Sequence, residues 1–124
     1  MIFIVDDDES VRGSLVRLMR SAGYAAAAFP AAEDFLRDVP DGTPGCVIID
    51  VHLGGMDGLA LQHVLSRRAA APPVVMITAD EEPELGRKVL AAGAAAFLRK
   101  PFDDSALLGA VERAIGRPAG TDEG

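Results

Sequence analysis

The sequence predicts an α/β fold in which five helices flank a doubly wound, five-stranded parallel sheet. Short apolar runs, typical of strands buried on both faces, alternate five times with stretches whose apolar residues recur at helical spacing. Strands separated by helices form parallel sheets with helices on both faces. The 124 residues match one domain, which can bury a core of this kind without disulfides.

The predicted strands are short and mostly apolar, although the second is rich in alanine, which has low strand propensity. Gly23 and Gly93 are expected to end the first and fourth helices, and Asp57 to cap the third. Pro83 is expected in the first turn of the fourth helix, and Asp103 or Asp104 caps the fifth. The strands are predicted at 2–5, 24–29, 46–49, 73–77 and 95–99, and the first three helices at 9–22, 31–39 and 58–69.

The apolar positions of the helices define the faces that should point toward the sheet. Residues expected on these inner faces are Val11, Leu15, Leu18, Met19, Ala22, Leu85, Val89, Ala92, Leu107, Val111 and Ile115.

Composition excludes several classes of protein. The net charge of −7 argues against direct nucleic-acid binding by this domain, which would need a basic surface. No apolar run approaches the length of a membrane span, and the start of the chain lacks the basic region of a signal peptide. The single cysteine, Cys46, excludes an internal disulfide and favours a reducing cytoplasm; we expect it to be a small buried hydrophobe.

Polar residues follow four of the predicted strands at the points where those strands end. The first strand leads into the aspartates 6–8, the third into Asp50, the fourth into Thr78 and the fifth into Lys100. Ligands of open parallel sheets bind beyond the carboxyl ends of the strands, so we expect these side chains to lie at one edge.

The chemistry of that edge favours a divalent cation and a small oxyanion. Neighbouring carboxylates repel each other unless they share a cation or one is protonated, and oxygen ligands favour Mg²⁺. Cys46, His52 and His63 are too few for a zinc site, and both histidines are expected at the surface. An ammonium and a hydroxyl beside a divalent cation suit a phosphoryl group, for which a carboxylate can be the nucleophile.

The motifs together resemble bacterial two-component receiver domains, especially the FixJ-type branch. They are Val5 to Arg12 (VDDDESVR), Asp50 followed by Gly55 to Gly58 (GMDG), Thr78-Ala79 and Lys100-Pro101-Phe102. The resemblance implies a flavodoxin-like sheet with strand order 2-1-3-4-5, and a Lys100-Pro101 bond of a kind that is cis in the family.

The resemblance also implies the roles of the site residues. Asp50 would accept a phosphoryl group from a sensor histidine kinase. Asp7, Asp50 and the backbone carbonyl of His52 would bind Mg²⁺ directly, and Asp6 largely through water. Lys100 would contact the phosphoryl oxygens.

Two further residues correspond to the family's conformational switch. Thr78 would move toward the phosphoryl group, and Phe97 would then turn inward. The face formed by the fourth helix, fifth strand and fifth helix would carry the signal and promote a homodimer. Charged residues expected on this face are Lys88, Arg99, Asp104 and Glu112.

The chain departs from the family pattern at Gly54, where the family usually has proline, so the loop after Asp50 is expected to be looser. His52 and Asp80, each two residues after a site residue, border the path of attacking water in the family and are expected to tune the lifetime of the phosphoryl group.

Three alternatives compete with these interpretations. The aspartates 6–8 could simply form a helix-capping turn. The chain could be a degenerate receiver that binds a partner without phosphorylation. It could also be a haloacid-dehalogenase-type phosphatase with Asp6 as nucleophile, since an Asp-x-Asp follows the first strand.

The predicted domain organisation is a receiver domain over 1–116 followed by a linker or free tail over 117–124. In FixJ-type relatives such a linker usually leads to a helix-turn-helix DNA-binding domain, so a transcription regulator is the expected whole protein.

Overall fold

Five parallel strands form a single sheet in the order β2-β1-β3-β4-β5, in the computed structural model, which describes residues 1–116. This confirms the predicted α/β fold and strand order. The strands are β1 (Ile2–Val5), β2 (Ala26–Phe29), β3 (Cys46–Asp50), β4 (Val74–Thr78) and β5 (Ala96–Arg99).

Helices alternate with the strands along the chain and lie on both faces of the sheet. They are α1 (Glu9–Ser21), α2 (Ala32–Asp38), α3 (Gly58–Ser66), α4 (Leu85–Ala91) and α5 (Asp104–Ile115). The predicted tail, 117–124, lies outside the described residues. No helix within 1–116 is long and apolar enough to cross a membrane.

The register of the strands places the site residues at one edge. Val5 pairs with Ile49, so the residues that follow them, Asp6 and Asp50, lie side by side. Thr78 pairs with Arg99, so Lys100 follows directly at the end of β5. Four consecutive strands of the sheet therefore deliver polar side chains to its carboxyl edge.

Alternating residues of the central strands supply two separate cores. Phe3, Val5 and Ile49 pack with α2, α3 and α4, whereas Ile4 and Ile48 pack with α1 and α5. The first core contains an aromatic group in which the ring of Phe35 lies 5.6 Å from those of Phe3 and Phe29. Both faces are apolar because each is covered by helices.

Local signals predict the helix ends well. Asp57 accepts a hydrogen bond from the amide of Ala60 at 2.8 Å and so caps α3. Gly23 and Gly93 have positive φ angles of 95° and 107° just beyond α1 and α4, as predicted. Asp103 is the N-cap residue of α5, without a side-chain hydrogen bond. The Lys100-Pro101 bond is cis.

Some predicted positions are wrong. Pro83 lies in a turn before α4 rather than in its first turn. Ala22 and Ala92 are exposed because they are the C-cap residues at which the chain leaves each helix. Ile115 is 47% exposed because the last turn of α5 extends past the amino edge of the sheet, where it lies near Met1 and the start of β3 and β4.

β2 and α3 each have one end that differs from the prediction by more than one residue. β2 begins at Ala26 rather than at residue 24, because pairing with β1 starts at Ile2. α3 ends at Ser66 rather than at residue 69, where the amides of Arg67 and Arg68 bond to carbonyls three residues back in a closing turn.

Cys46 should be chemically protected while the domain is folded. It is fully buried, and burial raises the pKa of its thiol from 9.0 to about 11. We expect no alkylation by iodoacetamide at pH 8 without denaturant, and complete alkylation in urea, measured by mass. Rapid labelling of the native protein would contradict this placement.

Because the pKa of Cys46 is raised in the folded domain, the free energy of unfolding should decrease as the pH rises. The contribution of Cys46 is fully present below pH 9 and is lost as the pH rises toward 11, by about 2–3 kcal/mol. Cys46→Ala should show a correspondingly smaller loss of unfolding free energy over that pH range.

Candidate functional site: a carboxylate pair bridged by a lysine

The carboxyl edge of the sheet brings Asp6, Asp50, Thr78 and Lys100 together, as the sequence predicts. Asp6 and Thr78 are fully buried, and Asp50 is 7% exposed. The Lys100 ammonium lies 2.9 Å from Asp50 Oδ2 and 3.3 Å from Asp6 Oδ2. One lysine from the edge strand β5 thus bridges carboxylates that follow β1 and β3.

The charges at this site are strongly coupled. Burial raises the pKa of Asp6, and the nearby Asp50 charge adds to the rise, while the amide of Asp8 and the Lys100 ammonium oppose it. Burial lowers the pKa of Lys100, but the hydrogen bond and charge of Asp50, followed by those of Asp6, outweigh it, so the pKa lies above its ordinary value. Two carboxylates therefore share one ammonium that stays charged.

The aspartates 6–8 serve different local purposes. Asp6 Oδ1 accepts the amide of Asp8 at 2.9 Å, and Asp8 Oδ1 accepts the amides of Ser10 and Val11, which caps α1. The helix-capping interpretation therefore holds for Asp8. Asp7, between these two residues, is exposed to solvent.

The groups that could bind a cation at this edge are carboxylate oxygens. Within residues 1–116, no three His, Cys, Asp or Glu side chains lie close enough together to form a metal cluster, so Asp7 does not join Asp6 and Asp50 in such a group. Asp6 and Asp50 nevertheless supply carboxylate oxygens at one point, next to the backbone of His52. This donor chemistry fits a hard divalent cation such as Mg²⁺.

A side-chain contact joins the loop after β3 to the loop after β4. His52 Nε2 lies 2.7 Å from Asp80 Oδ2, and the amide of His52 donates to Asp50 Oδ1 at 2.9 Å. The amide of Glu82, followed by the His52 ring, lowers the pKa of Asp80. Thr78 Oγ1 accepts the amide of Asp80 at 3.0 Å, which holds the hydroxyl within the β4–α4 loop.

Phe97 is half-buried and packs against the first core and α4. A methyl group added to Gly86 would come within 3.0 Å of its ring, so α4 approaches the ring closely. The Arg99 guanidinium lies over the same ring, 5.1 Å from its centroid, and donates to the carbonyls of Asp80 and Glu82. Arg99 therefore links Phe97 to the β4–α4 loop.

Sequence reasoning missed three supporting contacts. Arg12 Nη1 donates to the carbonyl of Asp6 at 2.9 Å, and Arg99 binds the β4–α4 loop as described. Glu33, at the start of α2, accepts the amide of Met56 at 3.1 Å. Only Arg12 had a usable signal, since it lies one turn into the helix that Asp8 caps and can reach back to the end of β1.

Comparison with known proteins decides the family. A family model described as "Response regulator receiver domain" matches residues 2–112. The chain belongs to this family.

Relatives of this receiver domain include transcription regulators. It is 37% identical over 95% of its length to the transcriptional regulatory protein FixJ of Azorhizobium caulinodans, and 38% identical over 92% to the transcriptional regulatory protein TdiR of Thauera aromatica. These matches cover 56% and 50% of the relatives, so the chain spans about half their length.

A solved structure agrees with the same assignment. The receiver domain of NtrX from Brucella abortus matches with a TM-score of 0.86 and 30% identity, covering 93% of this chain and 98% of that one. The chain is thus a receiver domain of two-component systems, a signalling domain rather than a conventional enzyme, and the dehalogenase-type alternative is wrong. Family membership does not favour the degenerate-receiver alternative.

Lys100 should stabilise the folded domain through its two carboxylate partners. We expect Lys100→Met to lower the free energy of unfolding by about 1–3 kcal/mol, because Asp6 and Asp50 would then face each other without a counter-charge. Urea denaturation without metal measures this. Adding Asp50→Asn should recover most of the loss, since one of the two like charges is removed.

Lys88→Met is the matched control. Lys88 is largely exposed and pairs with Glu82 at 3.4 Å, so its loss should change stability by no more than about 0.5 kcal/mol. Equal effects of the two lysine variants would contradict a bridging role for Lys100.

Proposed function

We propose that Asp50 accepts a phosphoryl group from a phosphohistidine of a sensor histidine kinase. The observation that supports this most directly is the Lys100 ammonium 2.9 Å from Asp50 Oδ2, at the carboxyl edge of the sheet. Asp50 is buried enough to be positioned, yet 7% exposed and therefore reachable by a small group. Asp6, by contrast, is fully buried, which favours a supporting role.

In the proposed transfer, a carboxylate oxygen of Asp50 attacks phosphorus while the phosphorus–nitrogen bond of phosphohistidine breaks. The bonding electron pair returns to the imidazole nitrogen, and an acyl phosphate forms on Asp50. The Lys100 ammonium contacts the Asp50 carboxylate before transfer and would contact the phosphoryl oxygens after it. The amide of His52 holds Asp50 Oδ1 and so fixes the direction of the carboxylate.

The proposed Mg²⁺ site consists of Asp7, Asp50 and the backbone carbonyl of His52, with Asp6 acting largely through water. When bound, Mg²⁺ would supply positive charge that neutralises the carboxylates and the phosphoryl oxygens. The exposed position of Asp7 leaves its carboxylate accessible to an arriving cation. His52 and Asp80, joined at 2.7 Å, would tune the lifetime of the phosphoryl group by bordering the approach of water.

The proposed switch runs from Thr78 to Phe97. Movement of the Thr78 hydroxyl toward the phosphoryl group would break its bond with the amide of Asp80 and shift the β4–α4 loop. Because Arg99 binds carbonyls of that loop and covers Phe97, the ring would be released to turn inward. Complete burial of an exposed side chain of this size contributes about 1.5–3 kcal/mol. Phe97 is already half-buried, so turning inward would contribute only part of that free energy.

The proposed output is a change in the α4–β5–α5 face that promotes a homodimer. We assign Lys88, Phe97, Arg99 and Glu112 to this face, whereas Asp104, also expected there, lies beside α1. In the whole protein, we expect control of transcription through a further domain, in the cytoplasm, because relatives of twice this length are named transcriptional regulatory proteins. The receiver itself would not bind nucleic acid, given its net charge of −7.

Phosphorylation tests the proposal directly. Acetyl phosphate with Mg²⁺ should add the mass of one phosphoryl group, which hydroxylamine then removes because an acyl phosphate is labile to it. Asp50→Asn should abolish the addition. Asp57→Asn, which alters a carboxylate in the same loop and keeps a good helix cap, should label like the wild type. Full labelling of Asp50→Asn would refute the assignment.

Mg²⁺ should stabilise the folded domain, because the proposed ligands come together only there. At one hundred times its dissociation constant, it should add about 2.7 kcal/mol to the free energy of unfolding, measured as a rise in melting temperature. The rise should shrink strongly in Asp7→Ala and persist in Asp8→Asn, which removes a neighbouring charge but preserves the cap of α1. Equal rises in both variants would exclude Asp7 as a ligand.

Beryllofluoride, a phosphoryl mimic, should shift the domain from monomer to dimer in sedimentation experiments. The association should weaken with added salt because charged residues line the proposed face. Lys88→Ala should weaken the association. Arg37→Ala should not, because Arg37 lies on α2, outside this face, where it forms an ion pair of 3.1 Å with Asp34. A monomer in both states at high concentration would rule out dimer output for this domain.

A further inference from the structure

The loop between β3 and α3 is held firmly at both ends. Its first residue, Val51, is buried, and Leu53 contributes to the first core. At the other end the amide of Gly58 donates to the carbonyl of Val51 at 2.9 Å, and any side chain on Gly58 would collide with the carbonyl of Asp50 at 2.2 Å. The ends of the loop are therefore fixed against the strand that carries Asp50.

The middle of the loop, residues 54–56, is held differently. Across residues 1–116, a single hydrogen bond ties this segment to the rest of the domain: the amide of Met56 donates to Glu33 Oε2 at 3.1 Å. Gly54 has open space where a side chain would be, so packing in this segment comes from the half-buried Met56, which contacts the first core. Two adjacent glycines give this segment unusual conformational freedom.

The Glu33 carboxylate fits closely under the segment. A side chain on Gly55 would come within 3.0 Å of Glu33 Oε2, and Gly55 has a φ angle of 72°, which other residues rarely adopt. The backbone amide of Glu33 itself, followed by that of Met56, lowers the pKa of this carboxyl, so it is ionised at neutral pH. A charged acceptor makes a stronger hydrogen bond than a neutral one.

We propose that Glu33 is a positioning residue for the phosphoacceptor site, which it serves by holding residues 54–56. The carbonyl of His52 lies two residues before this segment, so freedom in residues 54–56 would reach this proposed Mg²⁺ ligand, whereas Asp50 is held by the sheet. The inference rests on the proposed function, since it concerns the groups that would bind Mg²⁺ and accept the phosphoryl group. Within residues 1–116, the hydrogen bonds of the Glu33 side chain go to the amides of Met56 and of Glu33 itself, not to the proposed metal ligands or to Lys100.

The contact replaces stiffness that the sequence of the loop lacks. A proline at position 54 would restrict the backbone from within, whereas Gly54 does not. Glu33 restricts it from outside, through a side chain of the neighbouring helix α2. Because the carboxylate is exposed to solvent, its effect is modest, in the range that one hydrogen bond allows.

The first measurement is independent of phosphorylation. In Glu33→Ala, the amide of Met56 should exchange with solvent faster, and its nitrogen and proton resonances should shift, in NMR spectra recorded without Mg²⁺. Glu33→Gln keeps an oxygen acceptor at the same reach and should retain most of the protection. Unchanged exchange and shifts in Glu33→Ala would overturn the proposal.

The second measurement follows Mg²⁺ binding through amide shifts and labelling by acetyl phosphate. Glu33→Ala should weaken Mg²⁺ binding and slow labelling by about threefold to tenfold, and Glu33→Gln should restore both. Asp34→Ala is the matched control, because it removes the same charge from the adjacent residue, which pairs with Arg37 instead. Equal effects of Glu33→Ala and Asp34→Ala would reduce the role of Glu33 to net charge and overturn the proposal.

A third variant tests compensation. Gly54→Ala stiffens the segment without a steric conflict, so it should recover part of the loss in the Glu33→Ala background and change the wild type little. Equal small effects in both backgrounds would overturn the compensation. If the wild type takes up no phosphoryl group, the proposed function fails and this inference with it; if it labels normally and Glu33→Ala does also, only the inference fails.

Discussion

The central constraint on this domain is the gathering of negative charge at the carboxyl edge of its sheet. Parallel strands end at one edge, and β1 and β3 each place a buried aspartate there, Asp6 and Asp50. Lys100 neutralises only one of the two charges. The pair is stable because the strands are locked by apolar packing on both faces, which leaves the carboxylates no room to separate. The surplus negative charge then favours whatever cation reaches the edge.

The same arrangement divides the molecule into a rigid part and an adjustable part. The strands and their two cores fix the positions of Asp6, Asp50 and Thr78, all of which are buried. The loop that follows β4 and the middle of the loop that follows β3 instead depend on a few polar contacts, such as the Arg99 bonds to backbone carbonyls and the bond from Met56 to Glu33. Such contacts are individually weak, so these loops can rearrange while the sheet keeps its register.

The sequence predicts the fold and the membership of the site because both depend on order along the chain. A buried strand that ends in Asp50 or Thr78 delivers that residue to the edge whatever the loops do. Three consecutive aspartates do not indicate which of Asp7 and Asp8 caps α1, because the φ and ψ angles of the turn decide this. Ile115 was misplaced because helical periodicity does not reveal where the sheet beneath a helix ends.

Contacts between loops lie beyond sequence reasoning for a related reason. Glu33 precedes Met56 by 23 residues, and α2 is separated from α3 by a whole strand, so no local pattern relates them. Only the strand order, which places β2 beside β1 and β3 next to it, brings the start of α2 near the loop after β3. Arg99 reaches residues 80 and 82 in the same way, because β5 lies beside β4. The positions of the buried charges are therefore determined by the ends of the strands. The loop contacts near them depend instead on the order of the strands in the whole sheet. Substitutions in such contacts can alter the behaviour of the site without changing any residue that a motif would identify.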